Sequence, residues 1–162
     1  MSSHYAVSLY TKLRMDLPTE WVDAFTALAS ATNPAEVQFP EIPEWGYAGH
    51  EVPCMIRLPH WNAKPVYDFG RCHDSSSFDG TVEYHTYHLT FWNIILDDDF
   101  YHQGMAFLSF LAKYSVGNRF AGTMFETCGT YPQMIYFIDG ELRFVDVGSD
   151  GNSMQDMTGI SY

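Results

Sequence analysis

The stretch from Glu83 to Tyr114 holds the densest cluster of chemically able side chains in the sequence, with the run Tyr87-His88-Leu89-Thr90-Phe91-Trp92 just before its aspartate turn. A histidine with a threonine two positions on, in an apolar strand, supplies half of what a phosphoesterase-like enzyme needs. One imidazole would take a proton and a second would give one while a phosphodiester is cleaved. The second imidazole must stand on a facing strand. His73, followed by Asp74 and Ser75, is the nearest partner, and no histidine follows His102. The competing reading of His88 and Thr90 is structural, a strand histidine with its threonine paired across the sheet.

Two other chemistries are weighed on the same residues. His85, His88, Asp97, Asp98, Asp99 and His102 are the types that hold zinc, manganese or iron. His85 and His88 are three positions apart on a predicted strand, so they point to opposite faces and do not share an ion. The aspartate run is explained as the cap of a following helix. No metal and no cofactor is expected. Cys72 and His73 are neighbours, yet a catalytic cysteine and histidine ordinarily meet across a fold rather than along a chain. Ser75, Ser76 and Ser77 read as a turn with no strained nucleophile elbow. Neither Gly-x-Gly-x-x-Gly nor the Walker pattern is present.

The candidate binding residues lie in a Pro-rich middle section. Trp45, Tyr47, Trp61 and Tyr67 stand there with Glu41 and Glu44 interleaved. Large rings beside carboxylates suit a partner surface that is basic or neutral, because Trp and Tyr dominate interface hot spots. The alternative is that these rings pin a long loop onto the sheet. Aromatic residues make up 17% of the chain, more than a core of this size needs.

Charge narrows the function classes. Eight Lys and Arg face twenty Asp and Glu, a formal charge of −12. Such a surface repels nucleic acid and anionic lipid, so neither direct nucleic-acid binding nor a membrane is expected. A polyanion (DNA) mimic is a further possibility, and solubility alone is the bland one. Cys54, Cys72 and Cys128 form no paired framework, which points to a reducing cytoplasm. No apolar run approaches the ~20 residues that span a bilayer.

These side chains need a scaffold. Odd positions from Tyr5 to Met15 are Tyr, Val, Leu, Thr, Leu and Met, the alternation of a half-buried strand. Pro18 opens a helix with Trp21, Val22, Phe25, Leu28 and Ala29 on one face. Residues 34–80 form an insertion of loop and short edge strands, with 54–58 and 64–69 the strands and 73–80 a turn. A long strand spans 81–95, and a second helix carries Met105, Leu108, Leu111 and Ala112 toward the core. Residues 120–128 form a strand. Asp139-Gly140 turns a hairpin between strands at 133–138 and 141–147. The predicted fold is α+β: an antiparallel sheet with two helices packed on one face, loosely ferredoxin-like, with the Pro-rich insertion. Residues 1–147 form a single domain, and 148–162 a polar tail that is loose or weakly docked.

Residues 5–16 (Tyr-Ala-Val-Ser-Leu-Tyr-Thr-Lys-Leu-Arg-Met-Asp) and the following Leu-Pro-Thr-Glu-Trp-Val-Asp-Ala-Phe resemble the start of small acidic proteins of unknown function from bacteria and their phages. Tyr87, Leu89, Phe110, Leu111 and Tyr114 are similar, as are Glu126, Pro132, Ile135 and Tyr136. The resemblance supplies no catalytic residue. It implies a phage or accessory bacterial protein, in the host cytoplasm if phage-encoded, that acts without enzymatic chemistry by binding a host or partner protein through an acidic, aromatic-rich surface. A homodimer is also compatible. The alternative is a small-ligand-binding protein or an enzyme using His88.

Overall fold

The computed structural model describes residues 4–42, 66–75, 83–96, 104–126, 129, 132–147 and 154–156. The predicted alternation from Tyr5 onward forms β1 (His4–Arg14), with Tyr5, Val7, Leu9, Thr11 and Leu13 buried. Pro18 stands at the N-cap of α1 (Thr19–Ser30), where its missing N–H costs nothing. Trp21, Ala24, Phe25 and Leu28 are the buried stripe of that helix. A short 3-10 turn (Pro34–Glu36) follows, and then β2 (Val66–Ser75) and β3 (Glu83–Leu96). The second helix, α2 (Met105–Tyr114), precedes β4 (Arg119–Glu126), β5 (Gln133–Ile138), β6 (Glu141–Val147) and a three-residue β7 (Met154–Asp156).

The strands lie in the order β2-β3-β1-β4-β5-β6-β7, every neighbouring pair antiparallel. β1 is central and pairs with β3 along its whole length, His4 opposite Leu96 through Arg14 opposite Thr86. Both helices contact the sheet through rings on one side of it. Phe25 of α1 meets Phe69 at 5.3 Å between centroids, and Phe107 of α2 meets Phe91 at 6.1 Å. Trp21 joins the helices, 4.2 Å from Phe110 and 5.7 Å from Phe39. Fully burying a side chain such as Phe25, Phe91 or Phe107 stabilises the fold by about 1.5–3 kcal/mol.

The turn at Asp139-Gly140 has positive φ at both residues, 53° and 79°, the conformation of a two-residue hairpin loop. Asn118 braces it: Asp139 N–H donates to Asn118 Oδ1 at 2.7 Å, and Asn118 Nδ2 donates to Asp139 Oδ1 at 3.1 Å. At the bulge between Phe120 and Gly122, β4 crosses so close to β1 that only glycine fits at 122.

Two strands differ from the sequence expectation. β2 continues through His73, Asp74 and Ser75, because the long β3 offers it partners as far as Glu83. Residues 154–156 of the tail add a strand to β6. Asp97, Asp98 and Asp99, expected to cap the second helix, lie outside the described residues. The strand expected at 54–58 and the rest of 43–65 also lie outside them. No described helix is long and apolar enough to cross a membrane.

Candidate functional site

Strand alternation sorts the sheet into two sides. Tyr87, Leu89, Phe91 and Asn93 of β3 face the helices and are buried. Thr86, His88, Thr90, Trp92 and Ile94 take the other side. Register then decides what meets His88. Its partner across the β2–β3 ladder is Gly70, and Asp68 and Cys72 stand two residues either way along β2 on the same side. Gly70 has no side chain, so the imidazole lies across it: a methyl group there would stand 3.0 Å from His88 Cε1. With Cε1 over the glycine, the two ring nitrogens point in opposite directions along β2. His88 Nδ1 is 3.3 Å from Cys72 Sγ, and His88 Nε2 is 3.0 Å from Asp68 Oδ2.

The proton positions follow from the groups available. An ionised carboxylate only accepts, so Nε2 carries the hydrogen and donates it to Asp68. The neutral ring then presents its Nδ1 lone pair to the thiol. A thiol, an imidazole and a carboxylate in this order form a nucleophile, its base, and the group that holds the base in one tautomer. His88 is about one-fifth exposed and Asp68 mostly exposed, while Cys72 is part-buried and free of any disulfide. The hydrogen bond to Asp68 itself adds little stability at such exposure. What sets the geometry is the vacant space above Gly70.

Thr86 stands directly opposite Cys72 in the ladder. Its residue is 4% exposed, and its hydroxyl is buried with no hydrogen-bond partner. Lys12 of β1 is opposite His88 on its other flank. The thiol and carboxylate sit at opposite edges of one ring and do not converge on a common point. Among the described residues no three His, Cys, Asp or Glu side chains are arranged to hold a metal.

The other residues singled out in the sequence are placed as follows. Thr90 shares the side of His88 and is opposite Asp68. His73 pairs with His85 in the ladder, away from the ring of His88, and its side chain is not among those described. Tyr67 packs against the core beside Phe69, and burial pushes its phenol well above the usual range. Glu41 is exposed next to buried Ile42. Trp45, Tyr47, Trp61 and Glu44 lie outside the described residues, as does His102. Sequence reasoning missed Asp68 and did not place Cys72 beside His88. The signal was there in Asp68-x-Gly70-x-Cys72, three residues of one parity with the smallest in the middle.

The same side of the sheet also carries an apolar surface. Tyr10 is 50% exposed, Phe125 is 41%, and Val66 and Phe120 are similarly open. Phe125 is opposite Ala6, which is opposite Ile94, and Val66 is opposite Trp92. Phe120 packs edge-on against Tyr136 at 5.6 Å. Carboxylates gather elsewhere, beside α1, where Glu20, Asp23 and Glu36 line a groove of about 810 Å³ floored by Ala24, Ala27 and Val37. No protein-family model, curated protein or solved structure matches the chain.

Proposed function

We propose that this chain acts by binding a partner protein, and that it does so with the side of the sheet that faces away from the helices. The observation that carries this reading is the set of exposed large apolar side chains there, Tyr10, Phe120, Phe125 and Val66. Rings of this size held on a rigid sheet lose little entropy on docking and provide the area that interface hot spots use. The charge of −12 favours a partner with a neutral or basic surface, since encounter with an acidic one is repelled. Strand order β4-β1-β3-β2 with the helices between β1 and β2 and between β3 and β4 supports a ferredoxin-like core, extended by β5, β6 and β7. The resemblance to small acidic proteins of bacteria and their phages would make the partner a host protein.

The test is a paired retention experiment. Immobilised wild type and the double variant Tyr10→Glu, Phe125→Glu are exposed to the same lysate at low and high salt. A protein retained by the wild type and lost with the variant supports the reading. Equal retention by both, or none at low salt, removes it. A second reading rests on the carboxylate groove beside α1, which would take a basic segment. It predicts that Glu20→Lys with Asp23→Lys abolishes retention while the ring variant does not.

A further inference from the structure

We propose that Cys72 is a nucleophilic thiol that attacks the acyl carbon of small esters, with His88 as its base and Asp68 as the positioning residue. This goes beyond the docking reading and does not depend on it. Three independent features converge. The sulfur is 3.3 Å from Nδ1, the nitrogen that the Asp68 contact leaves without a hydrogen. Gly70 leaves the space that lets one ring reach both partners. The Thr86 hydroxyl, buried and unpartnered, stands opposite the cysteine as a spare hydrogen-bond donor.

The thiol proton passes from Sγ to Nδ1 as Sγ forms a bond to the carbonyl carbon. The carbonyl oxygen takes the negative charge and accepts a hydrogen bond from Thr86 Oγ1. The carbon–oxygen bond to the leaving alcohol breaks, the alcohol takes the proton from Nδ1, and a thioester remains on Cys72. Water then gives its proton to Nδ1 and adds to the thioester carbon. The carbon–sulfur bond breaks, Sγ regains the proton, and the acid departs. One ester and one water yield one acid and one alcohol, with no oxidant or other co-reactant. A phosphodiester is disfavoured because both nitrogens of His88 are engaged and no second imidazole is placed beside them among the described residues.

The experiment uses the full chain and p-nitrophenyl acetate, following nitrophenolate release and the acetylated peptide by mass spectrometry. The expected result is acetylation at Cys72 faster than in the same chain unfolded in urea. His88→Asn should slow it by about 100-fold, the low end of what a positioned base supplies. Asp68→Asn should slow it less and move the pH profile. The groups facing the ring are Asp68 and Cys72 from β2 and Lys12 from β1, so Lys12→Met is run beside it to separate their effects. Thr86→Val should slow acetylation while leaving alkylation by iodoacetamide unchanged, since alkylation develops no oxyanion. Urea midpoints of each variant exclude loss of fold as the cause. Acetylation of folded Cys72 no faster than in urea, or a His88→Asn variant that reacts like wild type at an unchanged midpoint, overturns the proposal.

Discussion

Replacing Gly122 with Ala tests the β1–β4 register, which sets Phe125 opposite Ala6 on the open side of the sheet. A Cβ at 122 would stand 2.0 Å from the backbone carbonyl oxygen of Ser8 and 2.9 Å from Leu9 Cα. Ordinary carbon–oxygen contact begins at about 3.3 Å, so the methyl group arrives more than about 1 Å too close. The obstacle is backbone, which cannot rotate aside, and β1 cannot retreat because β3 holds its other edge. β4 must therefore lift from β1 near Ser8 and Leu9. Losing one or two ladder hydrogen bonds costs about 1 kcal/mol each, and up to about 3 where a buried group is left unsatisfied. Overpacking adds about 1–3 kcal/mol. We expect a destabilisation of about 2–5 kcal/mol, a large share of the about 5–15 kcal/mol typical of a domain. At a slope of about 2 kcal/mol per molar urea, the midpoint should fall by about 1–2.5 M. Gly117→Ala is the control, since its φ is +65° but nothing lies within 4 Å of its added Cβ. It should cost only the roughly 1–2 kcal/mol of left-handed backbone. Without the close crossing, Ala at 122 would be neutral or stabilising by about 0.4–1 kcal/mol through the unfolded chain. A Gly122→Ala protein as stable as wild type would therefore refute the β1–β4 register.

Two further outcomes follow from the packing. Trp21→Ala removes the ring that joins α1 to α2 through Phe110 and Phe107, and should cost about 3–5 kcal/mol in urea unfolding. Tyr67 keeps its proton in the fold because burial raises its phenol, whereas the unfolded chain releases it near pH 10. Below that pH both states are protonated and stability is unaffected. Above about pH 10 the unfolded state binds fewer protons, so stability should fall by up to about 1.4 kcal/mol per pH unit, and Tyr67→Phe should remove that part of the loss in parallel urea titrations.

Local pattern carried the fold further than it carried the site. The alternation in β1, the apolar stripe of α1 and the Asp139-Gly140 turn are properties of neighbours in the chain, and each appears where the sequence puts it. β2 was harder, because His73-Asp74-Ser75 has turn composition and becomes strand only through pairing with β3. The same distinction explains the site. His88 stood out by composition, but its partners are fixed by a register sixteen and twenty residues away in the chain, to Cys72 and Asp68. Cys72 is next to His73 in the chain, yet the histidine whose ring it meets stands on the neighbouring strand. Tyr67, read in the sequence either as a binding ring or as one that pins the loop, shares parity with Phe69 and packs partly buried against the core.

The most direct measurement of the binding reading is site-specific photocrosslinking in living cells. A photoreactive residue replacing Phe125 sits among the exposed rings of the sheet, and one replacing Ser30 sits on the outer surface of α1. A covalent adduct with one discrete partner protein at position 125, absent at position 30, is the result expected. An adduct only at position 30, only with a second copy of the chain, or with nothing at all would contradict it.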